Sequence, residues 1–199
     1  FWKLELVLSY VFGYTQVGMP FVKEQTVGAY FGLGVFALWT GRHYFSSVIA
    51  KAFSGRHPED ESRQALPYQV LLVALVALTA VALTFMHRVL GVTVLAAAVY
   101  LAGYLLLSLA ITRMRAEFGL PVHDLFTGPF DMMVRIGGST TLGPANIKGL
   151  GLLWWLERVQ RSHPMPHGIE GLALGERRGV RGSGMLGALG VAMVVGAIT

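Results

Sequence analysis

Residues 68–86 (YQVLLVALVALTAVALTFM) and 89–112 (VLGVTVLAAAVYLAGYLLLSLAIT) are parted only by His87 and Arg88, and this stretch decides the fold. Crossing a bilayer takes about 20 mostly apolar residues at ~1.5 Å of rise each. Both blocks meet that length without a single Asp or Glu. Neither shows the polar face of a soluble amphipathic helix. The reading is a transmembrane hairpin, with His87-Arg88 as its turn.

The composition agrees. Hydrophobic residues make up 54% of the chain and charged residues 14%, the balance of a polytopic membrane protein. There are 25 glycines, well above the ~7% of average usage; in a bundle they permit close helix contact or interrupt helices beside a cavity. Cysteine is absent, which removes disulfides, thiolate catalysis and cysteine zinc sites. The net charge of +5 marks cytoplasmic loops rather than a nucleic-acid surface.

Working outward, the expected fold is an all-α integral membrane protein, a multi-span helical bundle with about four to five spans. The expected spans are 1–19, 24–41, 68–86, 89–112 and a truncated 184–199. The chain begins at Phe1 without Met and stops inside an apolar run. The expectation is therefore one bundle belonging to a longer polytopic chain. Its partners would be the lipid bilayer and the remaining segments or other membrane subunits.

Basic residues orient the bundle. Arg42, Lys51, Arg56 and Arg63 precede the hairpin; Arg113, Arg115, Arg135, Lys148, Arg158, Arg161, Arg177, Arg178 and Arg181 follow it; Arg88 alone marks the turn. Basic loops face the cytoplasm, so 42–66 and 113–183 are expected there, the latter as a long loop carrying short helices. Residues 42–53 have amphipathic spacing suited to an interfacial helix, and 54–64 (SGRHPEDESRQ) reads as a solvated linker. IKGLGLLWWL (147–156) reads as a half-inserted or protein-covered helix starting near Pro144. Gly28-x-x-x-Gly32 reads as a packing face, and Gly137-Gly138-Ser139-Thr140-Thr141 as a turn and helix cap.

Two groups of residues carry possible chemistry. The first block and its exit place Glu5, Tyr10, Tyr14, Gln16, Lys23, Glu24 and Gln25 at or near membrane depth, where ionisable groups usually face a pathway. Glu5, Tyr14, Gln16 and Glu24 are the substrate or ion pathway candidates. The cytoplasmic motif is His123-Asp124 with RSHPMPH, which contains His163 and His167. Histidines four apart share a helix face as in zinc peptidases, but Pro164 and Pro166 predict an extended His163 and Met165. In polyproline II, with its three-residue repeat, such a pair does not align. No metal, cofactor or catalytic residue is expected, and the loop reads as a rigid element whose histidines bond backbone or close a gate.

FGYTQVGMPFVKEQTVGAY, RMRAEFGLPVHDLF and RSHPMPHGIEGLALGER resemble a family of large, uncharacterised bacterial polytopic proteins, often labelled peptide-transporter-like and related to oligopeptide transporters. In that pattern a bulkier residue follows the second histidine and a further histidine follows the Asp-Leu step. Here Gly168 and Phe126 stand in those places. The resemblance implies an inner-membrane transporter of a small solute or peptide, working by alternating access. The alternatives are a membrane-embedded enzyme with a His/Asp site on its cytoplasmic face, and a non-catalytic scaffold or accessory subunit.

Overall fold

A computed structural model describes residues 1–14, 16, 18–54, 66–119, 127–158 and 163–198, and the described elements are helical, with no strand among them. The elements are α1 (Trp2–Val11), α2 (Val22–Ser54), α3 (Tyr68–Arg88), α4 (Val94–Phe118), α5 (Pro129–Gly137), α6 (Ser139–Gly151), α7 (Trp154–Arg158), α8 (Pro164–Arg177) and α9 (Gly182–Ile198). Of these, α3 and α4 are long and apolar enough to cross a membrane.

The hairpin forms where the sequence places it, but its turn lies further along. His87 and Arg88 complete the last turn of α3, and the reversal occupies 89–93. Five residues thus make the reversal, within the roughly two to five usual for a pair of antiparallel helices. Gly91 adopts φ 68°, which only glycine takes without a steric cost. His87 Nδ1–H donates to the Val92 carbonyl (2.9 Å). Thr93 caps α4 through its side-chain oxygen, and Gly119 ends the helix in the left-handed region at φ 63°.

Helix α2 corrects the division into a span at 24–41 and a separate interfacial helix at 42–53. It is one helix of 33 residues, about 50 Å long, with nothing to break it at Gly41 or Arg42. The Arg42 guanidinium lies over the Trp39 ring one turn back. Phe31 faces Gly103, Gly34 faces Leu106, and Phe36 lies under Arg113, so α2 runs parallel to α4. A Cβ on Gly34 would stand 2.8 Å from the Leu106 carbonyl oxygen, whereas Gly28 and Gly32 have open space where their Cβ atoms would be. The close-packing glycine is thus Gly34 and not the expected Gly28-x-x-x-Gly32 pair.

The first block is also shorter than expected. α1 ends at Val11 after 10 residues, about 15 Å, half the ~30 Å hydrocarbon thickness. Gly13 (φ 72°) and Gly18 (φ 100°) turn the chain back, and Gln25 Nε2 donates to Glu5 Oε2 (3.2 Å), tying α1 to the start of α2.

Segment 127–158 does not stay at one end of the hairpin. Pro129 packs at the level of Gly103, midway along α4. α5 and α6 meet at Gly138 (φ 76°), which ends one helix and begins the next, as the expected turn and cap require. Gly143 interrupts α6 (φ 74°) and Pro144 restarts it. Asn146 Oδ1 then accepts from the Thr93 N–H (2.7 Å) at the hairpin turn. A Cβ on Gly149 would lie 2.5 Å from the Leu90 carbonyl oxygen. The principal core sits at this joint, where Met86, Val92, Ala97, Tyr100 and Leu150 are buried together.

α8 then runs parallel to α4, and α9 returns antiparallel along α8, with Met185 against Gly175 and Leu189 against Gly171. The prolines of RSHPMPH lie inside α8 rather than in an extended segment. The first N–H groups of a helix have no intrahelical acceptor, so Pro164 and Pro166 lose nothing in its opening turn.

Candidate functional site

Helix α4 turns one polar stripe inward. Tyr100, Tyr104, Ser108 and Thr112 recur every fourth residue and therefore share a face. Ser108 and Thr112 are buried, and Tyr100 is 0% exposed. The Ser108 and Thr112 hydroxyls also donate to carbonyls one turn back (2.8 and 2.7 Å), so both satisfy themselves within an apolar helix.

Glu157 of α7 meets the lower end of this stripe. Its side chain is buried, and Oε1 accepts from the Phe130 N–H (3.0 Å). Because Pro129 opens α5 and Gly128 is its N-cap, the carboxylate caps the positive end of that helix. Glycine is required at 128: a Cβ there would collide with Glu157 Oε2. On the other side lies Tyr100, close enough to interact electrostatically with Glu157. Its buried hydroxyl makes no hydrogen bond among the described residues.

His163 meets the upper end. Its Nδ1 accepts from the Met165 N–H (3.2 Å), which caps α8. An accepting Nδ1 leaves the proton on Nε2, so Nε2–H donates to Ser108 Oγ (2.7 Å), and the Ser108 O–H donates in turn to the Tyr104 carbonyl (2.8 Å). The imidazole also stacks on the Tyr104 ring, with 5.7 Å between centroids. Further along, Arg115 and Glu170 form a two-bond ion pair, with Nη2 to Oε2 at 2.9 Å. Together these contacts fasten α8 to α4.

The other expected residues separate. His167 is exposed, one turn into α8; His123 and Asp124 lie outside the described residues. Among the described residues, no three His, Asp or Glu side chains converge as metal ligands. Glu5 and Tyr14 both line a cavity of ≈ 380 Å³, with Ser9 and Gln25. Gln16 is exposed, and its backbone carbonyl accepts from the Met19 N–H (3.2 Å). Glu24 does not line this cavity and pairs with Arg135 of α5. A larger, almost wholly apolar cavity of ≈ 680 Å³ opens between α2, α4 and α5, with Phe31, Val99, Leu106, Met132 and Met133 on its walls.

Glu157 and Tyr100 are absent from the sequence-derived candidates. The available signal was a lone carboxylate directly after the apolar run ending in Trp154, Trp155 and Leu156.

The chain matches the model of a family of unknown function, DUF6785, over residues 1–199, and it belongs to that family. Neither a curated protein nor a solved structure matches it.

Proposed function

We propose that this chain is part of a transport bundle in the inner membrane, moving a small solute or oligopeptide by alternating access. The observation that carries this reading is segment 127–158. Its helices break at Gly138 and Gly143, and it lies along α4, a helix long and apolar enough to cross a membrane. Broken helices at membrane depth are tolerated where they are covered by protein or line a cavity, and they form the binding sites of many transporters. In this reading 127–158 is re-entrant, α2, α3 and α4 span, and α1 and α9 are partly inserted. The apolar cavity beside α5 is the space into which that helix moves.

Charge supports an orientation. Arg113 and Arg115 stand in the last turns of α4 and Arg177, Arg178 and Arg181 follow at the end of α8 and beyond it, while Arg88 ends α3 at the opposite end of the hairpin. Placing the larger group in the cytoplasm follows the positive-inside rule. Arg135 and Lys148 then leave the cytoplasmic group, since Arg135 pairs with Glu24 at the start of α2 and Asn146 touches the turn. The enzyme alternative loses support, because both nitrogens of His163 are engaged in holding α8.

Crosslinking tests the proposal. A Cβ on Gly103 lies 3.3 Å from Pro129 Cβ, close to the separation spanned by a disulfide. A Gly103→Cys/Pro129→Cys variant of the full protein, reconstituted in liposomes, should take up labelled oligopeptides when reduced and stop when oxidised. Uptake that ignores the crosslink would remove α5 from the mechanism. Absence of uptake by the native protein would remove the peptide substrate.

A further inference from the structure

We propose that the apolar cavity between α2, α4 and α5 holds one acyl chain of a phospholipid, whose zwitterionic headgroup seats on the Glu24–Arg135 ion pair at the cavity's end. The inference rests on α4 lying in the bilayer and goes beyond the transport reading.

The cavity has a volume of ≈ 680 Å³ among the described residues, within the range of sites that enclose small ligands. Its walls are almost wholly apolar, so water, which needs about two to four polar partners, gains nothing there. Left empty, the same walls forfeit dispersion contacts. Met132 and Met133 stand on one side, and unbranched methionines adapt to an alkyl chain of varying shape. From Val99 to Leu106 the cavity follows α4 for two turns, about 10 Å. Gly28 borders it with open space where a Cβ would be.

Charge complementarity selects the occupant. Glu24 stands one turn before Gly28, and Arg135 directly before Ile136, and both Gly28 and Ile136 line the cavity. The ion pair joins α2 to α5 at this place. Phe31 faces Gly103, so Glu24, two turns earlier on the parallel α2, falls near the opening turn of α4. That is the end of the apolar run, where headgroups begin. Both side chains remain open to solvent, Arg135 by 51% and Glu24 by 32%. A guanidinium carries more donors, and a carboxylate more lone pairs, than one mutual bond uses. A phosphate can therefore accept from Arg135 while a primary ammonium donates to Glu24. An acyl chain leaving the bilayer gains no hydrophobic driving force, because lipid tails are as apolar as leucine. Packing and the headgroup then supply the preference, which favours a primary ammonium over a quaternary one that cannot donate. Under the transport reading, α5 enters this space only after the acyl chain has left it.

The test uses the full protein in phosphatidylcholine vesicles with a fixed trace of phosphatidylethanolamine that bears a photoreactive diazirine in one acyl chain. Crosslinks mapped by peptide mass spectrometry should concentrate on Leu106, Met132 and Met133. They should fall as unlabelled phosphatidylethanolamine replaces phosphatidylcholine. Leu78 and Val81, exposed on α3, report ordinary bilayer contact and should not change. Gly28→Leu places a side chain where the glycine leaves open space and should lower the cavity crosslinks about tenfold. Ala102→Leu, elsewhere on the wall, should do the same and decides if the first variant does not fold. Glu24→Gln should keep the cavity crosslinks but erase the preference for phosphatidylethanolamine, up to about fivefold for an exposed ion pair. Cavity crosslinks that ignore both filling variants, or that are no stronger than those on α3, would overturn the site as general bilayer contact. Their absence beside a labelled α3 would overturn it in favour of a cavity filled by another part of the chain. A preference that survives Glu24→Gln would overturn the headgroup seat. Uptake without cavity crosslinks sinks the lipid site alone; cavity crosslinks without uptake sink the transport reading alone.

Discussion

Ser108 and His163 meet at 2.7 Å, and seven residues further along each helix Arg115 and Glu170 meet as an ion pair. Seven residues are two helical turns, the repeat at which one face of a helix keeps contact with a parallel neighbour. Two stretches of the sequence, RMRAEF and RSHPMPHGIE, contain three of these four residues. Their shared task in this fold is to join α8 to α4. That gives RSHPMPH a structural purpose: a histidine caps a helix that the prolines begin, and its other nitrogen anchors the cap to the hairpin.

The anchor predicts an ordering among variants. Ser108→Ala leaves the buried His163 Nε2–H without this acceptor and should cost about 1–3 kcal/mol. His163→Asn keeps a capping oxygen but loses the bond and the stacking on Tyr104. His163→Ala loses the cap as well and should be worse than His163→Asn by about 1 kcal/mol. Thermal unfolding in detergent, read by cleavage within α8, measures the series.

The ion pair predicts a rescue. Arg115 has a side chain 14% exposed and Glu170 one 42% exposed, so the pair lies between the surface and buried regimes. Either Arg115→Glu or Glu170→Arg sets like charges together and should destabilise by about 1–3 kcal/mol. The double reversal should recover part of that loss in a double-mutant cycle. A coupling energy of zero would show that the pair contributes no stability.

Glycines should divide according to what their missing side chain would meet. Gly128→Ala drives a methyl into the Glu157 carboxylate and should cost about 1–3 kcal/mol as Phe130 loses its acceptor. Gly32→Ala, with open space at its Cβ and a place inside α2, should stabilise by roughly 0.5–1 kcal/mol through helix propensity. Melting temperatures of the two variants should move in opposite directions.

These glycines also show where sequence reading succeeds and stops. The hairpin helices are legible because their signal is local: apolar residues, no carboxylate and sufficient length. Gly28-x-x-x-Gly32 is local too, yet it says nothing about which side of α2 meets α4, and Gly34 makes the contact instead. The RSHPMPH prolines read as extended because proline disfavours helix interiors, whereas at a helix start the same residues are favourable. Glu157 was illegible because its significance lies in neighbours 27 and 57 positions away, Phe130 and Tyr100. Residues 113–183 read as a long loop carrying short helices, and α5 and α6 are short, but nothing local to them says that they pack along α4.

The course of 127–158 sets the strongest test of membrane topology. Counting charges puts Lys148 with Arg178 on the cytoplasmic side; the contact of Asn146 with Thr93 at the hairpin turn puts it with Arg88. These 199 residues contain no cysteine, so each cysteine introduced here is a unique label within them. Arg88→Cys, Lys148→Cys and Arg178→Cys replace exposed residues. In intact cells a membrane-impermeant thiol reagent should label the first two from the same, outer side, and leave the third unlabelled until the membrane is opened. Labelling of Lys148→Cys only together with Arg178→Cys would return 127–158 to the cytoplasm. The apolar helix α4 would then have to lie outside the bilayer with its packed partners, because Pro129, Glu157 and Asn146 are all fastened along its length. The labelling pattern therefore decides both where the segment lies and whether the polar stripe of α4 is at membrane depth.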